Sequence, residues 1–180
     1  MRDYSKTYII KKGHHYVRWF QMFPMFHRNI KKVYFEIKFD PSCYWFPSRD
    51  NDDTDKNKLF GLGFGFNHHK NSLRLAWVPN FSIPKNIDIY AYSYDANQKE
   101  VTRIFITTVK VGKSFKGKIT GLNKSRYLIV INDQPISIPN NSKDKNWGFY
   151  LRPYVGGNNT AIRTMKIDVS WFSTHNSDFI

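Results

Sequence analysis

LFGLGFGFNHHKNSLRLAW, residues 59–77, contains two runs of alternating side chains joined by a polar turn. In the first run, one face carries large apolar side chains and the other carries only glycines; the apolar set is Phe60, Leu62, Phe64 and Phe66. In the second run, Leu73, Leu75 and Trp77 share a face. A period of two is typical of β-strands. The stretch therefore predicts a hairpin whose glycine row leaves one flat face, which another group can approach closely.

The same alternation recurs on both sides of this hairpin. In residues 33–39, Val33, Phe35, Ile37 and Phe39 share one face, and polar or tyrosine side chains occupy the other. Further alternating or β-branched runs occur at 87–94, 101–111, 114–120, 126–132, 147–154 and 162–171, separated by clusters of Gly, Pro and Asn. This spacing predicts an all-β fold, an antiparallel β-sandwich or jelly roll with roughly ten to twelve strands.

The chain length of 180 residues is typical of one domain. We expect a single β-sandwich domain over residues 1–180, with a core at about 33–171, an N-terminal extension at 1–32 and a C-terminal tail at 172–180. The single cysteine, Cys43, cannot form a disulfide within the chain and fits a small buried side chain.

The sequence is strongly basic, with 28 Lys and Arg against 14 Asp and Glu and a net charge of +14. Such a charge favours anionic partners. The basic residues are scattered, with no run of five or more, so no sequence-specific nucleic-acid partner is predicted. No stretch reaches the ~20 apolar residues of a membrane span, and the N-terminus lacks the apolar segment of a signal peptide. These features predict no membrane partner and a cytoplasmic location.

Three blocks of the sequence resemble a group of concanavalin-A-like jelly rolls, which are similar to lectin and laminin-G-like sandwiches. The blocks are GFGFNHHKNSLRLAW at 63–77, IDIYAYSYD at 87–95 with YLIVIND at 127–133, and WGFYLRPYVGGNNTAIRTMKIDV at 147–169. Where the family pattern has a Pro-His pair, this chain has Ile162 and Arg163, so that histidine's role is not carried over. The resemblance extends to bacterial and phage proteins, including those of crAss-like phages. It implies a virion location if the chain is phage-encoded.

Two features of the sequence suggest a metal site, but neither is sufficient to predict one. His68 and His69 are adjacent, so on an extended chain they point to opposite sides and do not readily share an ion. The acidic loop at 48–58 is a weak Ca²⁺ candidate, because it lacks the glycine and glutamate of an EF-hand loop; its acids are Asp50, Asp52, Asp53 and Asp55. We therefore predict no metal and no cofactor.

The carboxylates of the sequence do not form a glycosidase pattern, which requires two positioned acids. The only glutamates are Glu36, on the outer face of a strand, and Glu100, in a turn. No nucleophile triad, phosphate-binding loop or dinucleotide motif is present. These observations predict no catalytic residue and no enzymatic activity.

The best candidate binding surface is the row Tyr90, Tyr92 and Tyr94, which one strand presents on one face, bordered by Arg74 or Lys70 of the neighbouring strand. Phenol rings in a row suit sugar stacking or a protein partner, although a second sheet could equally bury them. The turn residues Asn67, His68 and His69 are weaker binding candidates. Together with the resemblance, this predicts a non-enzymatic structural module of a phage virion (capsid, portal or tail) that contacts other virion proteins or copies of itself. A carbohydrate-binding module is the alternative, and a polysaccharide-degrading enzyme the third reading.

Overall fold

The computed structural model of the chain describes residues 3–18, 21, 25–45, 56–67, 69, 71–94, 102–121, 126–139, 147–156 and 160–175. Within these residues the structure is nearly all β. The twelve strands are β1 Asp3–Ile10, β2 Met25–Arg28, β3 Ile30–Phe39, β4 Asn57–Phe64, β5 Ser72–Asn80, β6 Asn86–Tyr94, β7 Thr102–Lys110, β8 Ser114–Thr120, β9 Arg126–Ile131, β10 Gln134–Pro139, β11 Trp147–Leu151 and β12 Met165–His175. A short 3₁₀ helix, Pro41–Cys43, follows β3.

The strands form two antiparallel sheets of six. The first sheet has the order β1-β12-β3-β8-β9-β10, and the second has the order β2-β11-β4-β5-β6-β7. Apolar side chains from both sheets make one buried cluster between them. This arrangement confirms the predicted antiparallel β-sandwich and its number of strands.

The hairpin predicted from residues 59–77 is β4 and β5. Leu62 lies opposite Leu73, and a bulge between Lys58 and Gly61 interrupts the pairing. Leu73, Leu75 and Trp77 are fully buried, as the alternation predicts. Phe66 is the exception, because its side chain is 82% exposed although we expected it to share the inward face. β4 ends at Phe64, and Gly65 adopts a φ of 65°, which turns the chain and breaks the alternation.

The N-terminal region supplies strands to both sheets. β1 pairs with β12 along its length, and β2 pairs with β11. The predicted N-terminal extension at 1–32 therefore contains β1, β2 and the start of β3. These strands are stabilised by partners more than a hundred residues away, which local patterns do not reveal. That the whole chain forms one domain stays a prediction.

The interior is rich in aromatic contacts. Trp171 packs against Tyr4 at 5.3 Å between ring centroids and against Phe60 at 5.4 Å. Trp77 packs against Phe39 at 5.1 Å. Cys43 is also buried, and burial raises its pKa to about 12, which fits the small apolar role expected for it. In the part of the chain that is described, no helix has the length and apolar character needed to cross a membrane.

His27 on β2 is a buried titratable group with a consequence for stability. Burial lowers its pKa to about 4; its bond to the Gly63 carbonyl opposes this shift, and the charge of His175 adds to it. The unfolded chain binds this proton near the ordinary histidine pKa of about 6.5. Stability is therefore lost as the pH falls from about 6.5 to 4, by about 3 kcal/mol for this group.

We expect His27→Gln to flatten the pH dependence of the free energy of unfolding between pH 6.5 and 4, measured by urea denaturation at several pH values. The carboxylates of the chain remain in both proteins, so the difference between wild type and variant isolates His27. Parallel curves for the two proteins would contradict the prediction.

Candidate functional site

The outer face of the second sheet, turned away from the core, brings polar and aromatic side chains into register. Strand pairing places Arg74 of β5 between Gly61 of β4 and Tyr92 of β6. Ser72 lies opposite Tyr94 in the same way. Because alternate residues of paired strands share a face, the tyrosine row of β6 and Arg74 lie side by side.

Arg74 is a buried cation without an anionic partner among the described residues. Its side chain is about 9% exposed, and Nη2 donates a hydrogen bond to the Arg152 carbonyl oxygen at 3.2 Å. Its Nε finds no acceptor among those residues. Burial lowers the Arg74 pKa to about 10, an effect that the phenols of Tyr94 and Tyr92 oppose and Arg152 reinforces. Arg74 is therefore charged at neutral pH in a place where an unpaired charge is costly.

The tyrosines of β6 differ in exposure and in the contacts they make. Tyr92 is 2% exposed, and its hydroxyl donates to the Tyr94 hydroxyl oxygen at 3.0 Å. Burial raises the pKa of Tyr94, and the bond from Tyr92 raises it further. Tyr94 is therefore protonated at neutral pH and can act as a proton donor. The ring of Tyr90 lies under the ammonium of Lys56, with 3.6 Å between Nζ and the ring centroid.

A groove of about 510 Å³ lies above Arg74 and Tyr94. Aromatic side chains from other parts of the chain line it: Tyr16, Phe66, Phe149 and Tyr154. The rings of Tyr16 and Tyr154 are in contact at 5.0 Å. His69 of the β4–β5 turn also lines the groove, with its ring 6.3 Å from the ring of Tyr94. A concave surface with aromatic walls and a few converging polar groups is typical of a ligand site.

The groove is positively charged. Lys58 and Arg152 line it together with Arg74, and its described lining contains no aspartate or glutamate. Asp88 shares this face of β6, but its Oδ1 accepts hydrogen bonds from Asn80 at 2.9 Å and from Thr108 at 2.7 Å. Cations in a partly desolvated groove attract an anionic ligand more strongly than cations on open surface.

The structure brings together only some of the residues predicted as a binding surface. Arg74, Tyr94 and His69 line the groove, Tyr92 is buried beside them, and Tyr90 lies outside it. Asn67 is exposed in the turn, where its carbonyl accepts the backbone N–H of Asn71 at 3.1 Å. The remaining predicted residues lie outside the described residues: His68, Lys70, Asp50, Asp52, Asp53 and Asp55. Within the described ranges no group of three metal-ligating side chains occurs.

Sequence reasoning missed several residues that line the groove: Tyr16, Lys58, Arg152 and Tyr154. The segment LRPY at 151–154 was a distinctive part of the family-like blocks, but it carried no catalytic pattern. Tyr154 reaches the site because its backbone pairs with Lys58, with 2.8 Å between the Lys58 nitrogen and the Tyr154 oxygen. No local signal could have shown that pairing.

No protein-family profile matches the sequence, and no curated protein matches it by sequence. Solved structures do match its fold. An alginate lyase from Pseudomonas aeruginosa superposes with a TM-score of 0.57 at 8% identity, over 83% of this chain and 68% of that one. A second alginate lyase, a member of polysaccharide lyase family 7, superposes with a TM-score of 0.49 at 14% identity, over 84% of this chain and 65% of that one. Porphyranase B from Zobellia galactanivorans superposes with a TM-score of 0.44 at 10% identity, over 96% of this chain and 76% of that one.

These similarities correct the functional prediction made from sequence. The Pseudomonas aeruginosa structure, which superposes with a TM-score of 0.57, is an enzyme named for a polysaccharide. The prediction of a non-enzymatic virion module was therefore wrong, as was the prediction that the chain is not an enzyme. The jelly-roll part of the resemblance is confirmed. At 8% identity the likeness to the Pseudomonas aeruginosa structure shows the fold alone, which is a concanavalin-A-like jelly roll.

Proposed function

We propose that this chain binds an acidic polysaccharide in the groove above Arg74 and cleaves it by β-elimination. The observation that carries the proposal is Arg74, a buried guanidinium with no anionic partner among the described residues. A protein that keeps such a charge at the floor of a groove gains from it when an anion binds there. The carboxylate of a uronic acid residue is an anion that matches the planar guanidinium fork.

An elimination mechanism explains how a groove without carboxylates can cleave a glycosidic bond. A glycosidase needs two acids of its own. In a uronate polymer the substrate supplies the carboxylate, which makes the neighbouring C5 proton removable once its charge is neutralised. Arg74 would neutralise that carboxylate and stabilise the charge that develops on it as the proton leaves. An enzyme of this class therefore needs no pair of acids in its sequence.

In this proposal, His69 and Tyr94, which both line the groove, perform the two proton transfers. An imidazole is the side chain best suited to accept a proton near neutral pH. His69 takes the C5 proton, the C5–H electrons form the C4–C5 double bond, and the C4–O4 bond breaks. Tyr94, which is protonated at neutral pH as a phenol, donates its proton to the departing oxygen. No water is consumed, and one product carries the new double bond.

The fold supports this proposal without identifying the substrate. Alginate, which appears in the name of the Pseudomonas aeruginosa structure, is an acidic polysaccharide and is the first substrate to test. The aromatic walls of the groove suit the apolar faces of sugar rings. The same groove also supports the coarser function of binding an acidic glycan without cleavage.

The test is to incubate the protein with alginate and to follow the unsaturated product by its ultraviolet absorbance. We expect Tyr94→Phe to lower kcat by about a hundredfold, because it removes the proton donor and keeps the ring. Tyr90→Phe is the matched control on the same strand and face, outside the groove, and should keep wild-type activity. Alginate binding without any unsaturated product would reduce the function to binding. Equal activity in both variants would refute the role of Tyr94.

A further inference from the structure

Beyond the groove, the edge of the second sheet carries a contiguous row of aromatic rings on its outer face. Phe66 contacts Trp147 at 4.7 Å between ring centroids, Trp147 contacts Phe149 at 6.2 Å, and Phe149 contacts Phe26 at 4.7 Å. Phe66 and Phe26, at the two ends of the row, are 82% and 69% exposed, and the two rings between them are half-buried. We call these four residues the aromatic platform.

Strand register places the platform on the same face as Arg74. Phe149 of β11 pairs with Gly63 of β4 on one side and with Phe26 of β2 on the other. Residues directly opposite in an antiparallel pair project to the same side of the sheet. The glycine row of β4 thus lies beside the platform, and Phe66 and Phe149 belong both to the platform and to the groove lining.

Core packing does not account for these rings. On the same two strands, the alternate residues Tyr150 and His27 face the interior, where their rings are in contact at 5.4 Å. The platform residues project the other way and do not belong to the buried apolar cluster. A single exposed phenylalanine needs no explanation, but four contiguous rings beside a ligand groove mark a binding surface.

We infer that the aromatic platform stacks against sugar rings of the polysaccharide as it leaves the groove toward β2. This inference rests on the proposed function and extends its binding site along the chain of the substrate. A pyranose presents C–H groups on its face and polar groups at its rim, which suits an aromatic ring with a cation nearby. Arg28 pairs with Trp147 on this face, so the cationic character of the groove continues beside the platform. The occupant is therefore a long acidic glycan.

The inference is tested by the dependence of affinity on chain length. Binding of alginate polymer and of alginate trimers is measured by calorimetry for wild type, Phe26→Ala and the matched control Phe81→Ala. Phe81 is also an exposed phenylalanine, at 40%, but it lies in the β5–β6 turn, away from the platform. We expect Phe26→Ala to weaken polymer binding about tenfold more than trimer binding. Phe81→Ala should change neither affinity.

The outcomes separate this inference from the proposed function. If the wild type binds polymer without cleaving it, and Phe26→Ala still weakens polymer binding more than trimer binding, the elimination mechanism would be overturned and the role of the platform supported. If the wild type cleaves the polymer but Phe26→Ala loses affinity equally for polymer and trimer, or loses none, the role of the platform would be overturned and the proposed function would stand. A protein that binds no polymer would overturn both. As a second readout, polymer should change the tryptophan fluorescence of wild type and do so much less in Trp147→Phe; an unchanged response would count against the platform.

Discussion

Replacing Arg74 by methionine is expected to lower the rate of alginate cleavage by about a hundredfold or more. Methionine retains an unbranched side chain like the aliphatic part of arginine and removes the guanidinium. The floor of the groove then lacks the charge that would neutralise the substrate carboxylate. The measurement is the initial rate of unsaturated-product formation over a range of alginate concentrations.

The same substitution is expected to leave the free energy of unfolding unchanged or to raise it by about 1 kcal/mol. The guanidinium is desolvated, and among the described residues it forms no ion pair that would offset this cost. Its one described hydrogen bond, to the Arg152 carbonyl, is the contact that the substitution removes. Loss of activity together with retained stability is the signature of a residue kept for function.

Two further variants sharpen this prediction. Arg74→Lys keeps the charge but loses the planar fork, so we expect intermediate activity. Arg126→Met is the control on the first sheet, where Arg126 is exposed and bonds Ser137 through Nε at 2.7 Å; its activity should match wild type. A large loss of stability in Arg74→Met with undiminished activity per folded molecule would show that Arg74 is structural.

The sequence predicted the sandwich because the evidence for a strand is local. The alternation in residues 59–77 is complete within the hairpin, so β4 and β5 follow from it directly. The tyrosine row and Arg74 were recognised for the same reason, since antiparallel neighbours with a period of two share a face. What the pattern could not decide was whether that face is covered. Tyr92 is buried, with the cationic groups of Lys58 and Arg103 over its ring, while Tyr94 lines the groove.

The groove itself was not predictable, because its parts are distant in the sequence. Arg152 is 78 residues from Arg74, whose guanidinium it orients, and Tyr16 comes from before the predicted core. Strand order, set by global packing, is what assembles them. The prediction of no enzymatic activity failed for a separate reason: it depended on the absence of paired carboxylates on the protein, whereas the proposed elimination would depend on a carboxylate of the substrate.

Replacing Gly148 by alanine is expected to destabilise the protein by about 3 kcal/mol or more. A Cβ built at Gly148 lies 1.8 Å from the Gly63 carbonyl oxygen and 2.8 Å from the carbonyl carbon. No rotamer change relieves a contact with backbone, so β11 and β4 must move apart. Urea denaturation of wild type and variant measures the effect. Because β11 carries Phe149 and leads to Arg152, alginate cleavage should fall as well.

Gly112→Ala is the matched control for Gly148→Ala. Gly112 has a φ of 79° but no atom within 4 Å of an added Cβ, so only backbone strain of about 1–2 kcal/mol is expected there. A cost at Gly148 no larger than at Gly112 would show that the two strands yield readily. His27 Nε2 also lies 3.0 Å from the added Cβ, so displacement of this side chain is a competing cause. Because the nearest atom is a backbone oxygen, His27→Ala in the Gly148→Ala background should not restore stability. Restoration would assign the cost to the histidine and leave the close approach of β11 and β4 unexplained.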